Sequence, residues 1–202
     1  MNATVMSIFN GQAIRLAPLQ AEHKAELAAL LDNPRIWEFT WRKISSLNEA
    51  EQLVDTALAN QAKGTELPFV MVEKASGRIA GTSRIMHLDS VHRSAEIGCT
   101  WISPDFWRTS VNTEAKAALL RYCFEELGLA RVSFTIVERN LRSQQAIERI
   151  GAVREGVLRK HRITSGGESV NNVIYSILDE EWPAVRANLD YLLKEKYARS
   201  SN

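Results

Sequence analysis

Apolar and polar positions change period along this chain, from two to between three and four and back again, and each change marks an element. Residues 13–17 alternate, with Ile14 and Leu16 on one side, which predicts a short strand. Residues 21–31 set Leu27, Leu30 and Leu31 on one helical face, and Asn33-Pro34 ends that helix, because a residue before proline avoids helical geometry. Residues 35–44 carry Trp37, Phe39 and Trp41 in alternation, which reads equally as a local strand or as the aromatic wall of a substrate cleft beside Arg42-Lys43. Ser46-Leu47-Asn48-Glu49 is a capping-box signature for a helix to about residue 62. Residues 68–73 and 78–88 read as strands around a Ser76-Gly77 turn, and 95–102 as a third.

The richest stretch follows. Pro104-Asp105-Phe106-Trp107-Arg108-Thr109-Ser110-Val111-Asn112-Thr113 turns abruptly from that strand into an amphipathic helix. A strand, a polar turn and a helix start bring unsatisfied N–H groups and the helix dipole to one point, which suits a phosphate, although many α/β proteins contain such units and bind nothing there. Residues 130–137 alternate Val132, Phe134 and Ile136 with Arg131, Ser133 and Thr135, the mark of another strand. Asn140 fits an N-cap, Ala146, Ile147 and Ile150 a helical stripe, and Gly151 the left-handed residue after it. Two more strands, 153–163 and 169–178, flank Ser165-Gly166-Gly167, and a closing helix of about 180–197 buries Trp182, Val185, Leu189, Leu192 and Leu193. Residues 198–202 read as disordered. The order predicts one domain over 1–202, with a core of about 13–183: an α/β fold of the mixed α+β type, with about seven strands in one sheet and helices on its faces.

Composition narrows the partners. The chain has 202 residues, 45% of them hydrophobic, enough for one well-covered domain and short for two. Lysine plus arginine, 25, nearly cancels aspartate plus glutamate, 24, so no bulk charge points to nucleic acid or an anionic membrane. No window approaches a membrane span and no secretory leader is evident, which makes a cytoplasmic enzyme the default. Cys99 and Cys123 read as small buried hydrophobes rather than a disulfide or nucleophiles, and His87, His92 and His161 lack metal-ligand spacing, so no metal is expected.

Glu96-Ile97-Gly98, Trp101-Ile102, the turn from Trp107 to Lys116, Asn140-x-x-Ser143, Ile150-Gly151-Ala152 and Glu155-Gly156-Val157-Leu158-Arg159 together resemble the GNAT acetyltransferases, most closely the RimJ/RimL-like branch, over about residues 14–183. That resemblance implies a twisted, mostly antiparallel mixed sheet whose 97–102 strand splays from its neighbour, and acetyl-CoA as co-substrate. It implies that the backbone of Trp101 and Ile102 meets the pantetheine arm. Trp107, Arg108, Thr109, Ser110, Val111, Asn112 and Thr113 would then surround the pyrophosphate, with Lys116 adding charge, and Asn140 and Ser143 would lie near the pantetheine and the sulfur. The family's usual turn has glycines where this chain has Ser110 and Asn112. Glycine permits positive φ and close approach to a phosphate, whereas the Ser110 Cβ resists both, and asparagine tolerates left-handed geometry.

Acetyl transfer to an amine needs a group to take the amine's proton, because only about one alkylammonium in a thousand is neutral at pH 7. Glu96 is the candidate, on a strand face shared with Ser94, Gly98 and Thr100 and opposite Ile97, Cys99 and Trp101; the competing reading pairs it with an arginine such as Arg84. Ser143 is the candidate donor to the departing thiolate. Trp37, Phe39 and Trp41 are the candidate acceptor wall. The expected function is N-acetylation of a small-molecule or peptide amine by direct attack in a ternary complex. The competing class is a regulatory module that binds acyl-CoA without catalysis, and a third reading is a homodimer whose neighbour completes the cleft.

Overall fold

A computed structural model describes residues 9–196. Its strands are β1 (Phe9–Asn10), β2 (Ile14–Pro18), β3 (Glu66–Glu73), β4 (Ile79–Asp89), β5 (Ser94–Ile102), β6 (Arg131–Val137), β7 (Val153–Ile163) and β8 (Ser169–Leu178). The helices are α1 (Lys24–Leu31), α2 (Leu47–Ala62), α3 (Val111–Arg121), α4 (Leu141–Ile150) and α5 (Trp182–Tyr191). One sheet runs β1-β2-β3-β4-β5-β6-β8-β7, and every neighbouring pair is antiparallel except β5 with β6. The eighth strand, the two-residue β1, is too short to leave a periodic trace in sequence, which is why seven were expected.

Each face of the sheet has its own core. On one, Ile14, Leu16, Ile97 and Phe134 pack with Leu119 of α3, Ile147 of α4 and Val185 of α5. On the other, Ala17, Val70 and Ile79 pack with Leu27 of α1 and Leu53 of α2. The caps follow their chemistry. The Ser46 hydroxyl accepts from Glu49 N at the start of α2, the Asn140 side chain accepts from Ser143 N at the start of α4, and Gly151 ends α4 at φ 107°.

Two expectations need correction. Residues 35–44 form no strand: Pro34–Trp37 is a 3₁₀ turn capped by Asn33, and an irregular segment follows. Within β5 the two-residue alternation breaks, since Arg84 pairs with Gly98 but Thr82 pairs with Trp101, so two steps on β4 face three on β5. The extra residue is a bulge, with Cys99 at a left-handed φ of 48°. The C-terminal residues 198–202, and Tyr197 at the end of the expected helix, lie outside the described residues.

Candidate active site

The parallel pairing of β5 with β6 is brief. Ser94, Ala95 and Glu96 face Arg131, Val132 and Ser133, and no later residue of β5 has a β6 partner. From Ile97 onward the strands diverge, leaving one edge of β5 unpaired beside a wedge-shaped gap. The starts of α3 and α4 stand at the open end of that gap, α4 shortly after β6 and α3 after a turn from β5 that includes the 3₁₀ piece Pro104–Phe106.

The turn before α3 solves its geometry differently from a glycine-rich loop. Ser110 is right-handed at φ −71°, and its hydroxyl donates to Glu114 Oε1 at 3.0 Å. The left-handed step falls on Arg108, at φ 65°. Asn112 lies inside α3, so its tolerance of positive φ goes unused, and its buried Oδ1 has no hydrogen-bond partner among the described residues. The Thr109 hydroxyl donates to Phe106 O and accepts from Val111 N, while the Thr113 side chain is buried. Glu114 fastens the whole turn to the sheet: its carboxylate accepts from Ala13 N and Ile14 N in the β1–β2 connection. A Cβ at Gly11 would collide with that carboxylate, which would have to give up its place on Ala13 N and Ile14 N.

Trp107 joins the two sides of the gap. Its indole N–H donates to Ile102 O at 2.9 Å, and two guanidinium groups lie against its ring, Arg142 of α4 at 3.9 Å and Arg35 at 5.0 Å. Arg35, Arg108 and Arg142 form no ion pair among the described residues. Partial burial, with the neighbouring charges of Arg35 and Arg108, holds the Arg142 guanidinium below its usual range against the opposing pull of Glu38. Three unpaired guanidiniums at one mouth make a place where anion binding relieves repulsion. Sequence reasoning found Arg108 and missed Arg35 and Arg142; the Arg142 signal was present in Asn140-Leu141-Arg142-Ser143, one residue before the position that drew attention.

The bulge redistributes β5 between the two faces. Thr100 turns toward α3, where its hydroxyl accepts from Lys116 Nζ at 2.7 Å, so it does not share a face with Glu96. Trp101 turns to the α1–α2 side and packs at a tilt of 53° against Trp37, ring centroids 5.0 Å apart. Lys116 is therefore corrected as well: it is buried beneath the sheet and does not reach the turn before α3. Glu96 faces the α1–α2 side beside Gly98, where an added Cβ would stand 3.4 Å from Glu96 Oε1 and 2.6 Å from Met86 Cε. Glu96 makes no hydrogen bond or ion pair among the described residues. Arg84, its suggested partner, instead binds Glu66 at 2.9 Å and Leu53 O. Burial pushes the Cys99 thiol up, with the charges of Arg84, Glu66, Arg42 and Glu96 also felt there, and burial pushes the Cys123 thiol up to about 12. Neither is a ready nucleophile.

On the far side of the gap, the Asn140 side chain is occupied by its cap, while the Ser143 hydroxyl has no hydrogen bond among the described residues. Trp37 belongs to the core, with its indole N–H on Leu31 O, and also lines a cavity of about 290 Å³ together with Trp41. Phe39, half-buried, is not among the residues lining it. Arg139, next to Asn140, closes one side by donating to Thr40 O. Among the described residues no group of three or more His, Cys, Asp or Glu side chains could hold a metal, and no helix is long and apolar enough to cross a membrane.

Known proteins share this architecture. A family model described as the acetyltransferase (GNAT) domain matches residues 13–153. A Bacillus subtilis (strain 168) protein named "Putative ribosomal N-acetyltransferase YdaF" is 38% identical over 106 residues, which cover 52% of this chain and 57% of that relative's length. The solved structure of a GCN5-related N-acetyltransferase from Brucella melitensis superposes with a TM-score of 0.84 at 30% identity, over 95% of this chain and 87% of the other. A spermidine N-acetyltransferase from Vibrio cholerae, solved in complex with CoA and spermine, has a TM-score of 0.72 at 20% identity over 86% of this chain and 99% of that one, a likeness of fold alone.

Proposed function

Because the chain belongs to the GNAT acetyltransferase family, in its RimJ/RimL-like branch, we propose that its 202 residues form one cytoplasmic N-acetyltransferase domain that joins acetyl-CoA and an amine in a ternary complex. The observation that carries this reading is the end of β5–β6 pairing at Glu96 and Ser133. An unpaired strand edge offers N–H and C=O groups at strand spacing, which an extended arm meets as another strand would. The mouth of the gap suits the phosphates, because unpaired Arg35, Arg108 and Arg142 surround it.

Acetyl-CoA supplies the acyl group in activated form, as a thioester. The chain's own part is to hold and to move protons. Glu96, unpaired among the described residues and beside Gly98, takes the proton of the incoming ammonium directly or through a water. The Ser143 hydroxyl, free of other bonds, is the donor toward the departing sulfur. No covalent enzyme intermediate enters, since both thiols are held protonated by burial. Juxtaposing the two substrates contributes most, on the order of 7 to 11 kcal/mol, and proton transfer adds ~10² to 10⁴-fold.

The competing reading, a binding module without catalysis, would draw support from a turn that the Ser110 Cβ spoils. With Ser110 right-handed and the left-handed step taken by Arg108, that support is lost. The test is free-thiol release from acetyl-CoA over a panel of amines, beside a thermal shift with acetyl-CoA. Release that requires an amine supports the enzyme, and a thermal shift with no release on any amine favours the module.

A further inference from the structure

The acceptor's charge is written in the cavity on the α1–α2 side. The chain is nearly neutral, with a formal net charge of +1, yet this cavity gathers cations. Its lining holds Arg42, Lys43 and Arg139 against Glu38 and Glu168. Glu168 is already paired with Arg139 at 3.7 Å, whereas Arg42 and Lys43 form no ion pair among the described residues. Arg42 stacks on Trp41 at 5.1 Å, and Arg162 of β7 lies 5.7 Å from the same ring, so a further positive charge stands at the rim. The Trp41 contact holds the Arg42 stem against an aromatic plate and leaves its N–H fork available to an anion.

The cavity and β5 share a wall. Trp37, which lines the cavity, packs at a tilt against Trp101 just past the bulge, and Arg139 links the cavity to the start of α4. The charges of Arg42 and Glu96 are both felt at Cys99, which puts both side chains in the neighbourhood of the bulge.

Resting on the acetyltransferase reading above, we propose that the acceptor is a small zwitterion of the amino-acid type, its amino group directed to Glu96 and its anionic group held by Arg42 and Lys43. An unpaired carboxylate at one end and unpaired cations at the other select for a molecule carrying both charges. A polyamine, cationic throughout, would bring like charge against Arg42, Lys43 and Arg162. A plain alkylamine would leave the cations unanswered.

The test is thiol release by the full chain with acetyl-CoA and three sets of acceptors: α-amino acids, the matching amino-acid amides, and spermidine. The expected result is a preference in kcat/KM for the acid over its amide of at least about threefold, within the range that one exposed ion pair can supply. Arg42→Gln should erase that preference chiefly by raising KM for the acid, and Arg42→Lys should restore part of it. Lys43→Gln provides a second variant should Arg42→Gln fail to fold. A smaller preference, faster turnover of the amide or of spermidine, or a preference unchanged in both Gln variants overturns the inference while leaving the acetyltransferase reading intact. No release on any acceptor, with acetyl-CoA still bound, overturns both.

Discussion

Lys116 has 4% of its surface exposed, and its Nζ donates to Thr100 Oγ1 and Ser83 Oγ while facing the Phe134 ring at 5.8 Å. The charged forms that reach it are the thiols Cys99 and Cys123, and no carboxylate offsets its desolvation. Burial therefore pushes the amine down to about 7, where an unburied lysine titrates at 10.5. Between those values the unfolded chain binds a proton that the folded chain does not, so stability rises with pH from about 7 upward. The opposing group is Cys123, raised to about 12, which costs stability once unfolded thiols ionise near 9. Denaturant unfolding between pH 6 and 9 should show stability climbing by up to about 2 kcal/mol, and Lys116→Met should flatten that climb. Parallel curves for the two proteins would contradict it. At the same scale, Glu96→Gln should lower kcat by ~10² to 10⁴-fold while acetyl-CoA still raises the melting temperature, and unchanged turnover across pH would remove Glu96 from the reaction. The residue types of this site were legible in sequence; their faces were not. Alternation put Glu96 with Thr100, and the bulge at Cys99 separates them without the glycine that would have announced a left-handed residue.

At the level of elements, helix starts and strand periods were readable because caps and alternation are local chemistry. The Asn140 cap, the Ser46 cap and the Gly151 terminator all stand where the residues require them. What escaped were the long-range partners. Ser110 looked like a defect in a phosphate loop, and its real partner, Glu114, is turned toward amides about a hundred positions earlier in the chain. Ser110→Gly should therefore leave acetyl-CoA affinity within about threefold and lower stability by about 1 kcal/mol, the worth of one hydrogen bond. Calorimetric titration and thermal unfolding check the two halves, and a markedly tighter complex would mean that the serine does obstruct the phosphates. Glu114→Ala removes the acceptor for two backbone N–H groups and should cost about 2 to 4 kcal/mol, with weaker acetyl-CoA binding as the start of α3 shifts. A variant as stable as the parent would show that the fastening of α3 to the β1–β2 connection is dispensable.

For the whole molecule, near-neutral composition concealed an uneven distribution of charge. Arg35, Arg108 and Arg142 surround the mouth of the gap, and Arg42, Lys43 and Arg162 border the neighbouring cavity; only folding brings these six together from segments far apart in the chain. The α/β class, the order of elements and the diverging pair of strands were anticipated from pattern and family likeness, whereas this field depends on where loops come to rest. Acetyl-CoA binding should accordingly weaken as salt rises, because unpaired guanidiniums at a partly exposed mouth are screened within about 8 Å at physiological ionic strength. The proposed acetyl-CoA site joins the unpaired edge of β5 to the turn before α3. Amide hydrogen exchange with and without acetyl-CoA measures this directly. Slowed exchange at residues 97–102 and 108–113 is the predicted result; unchanged exchange in both stretches, with protection appearing elsewhere or nowhere, would contradict it.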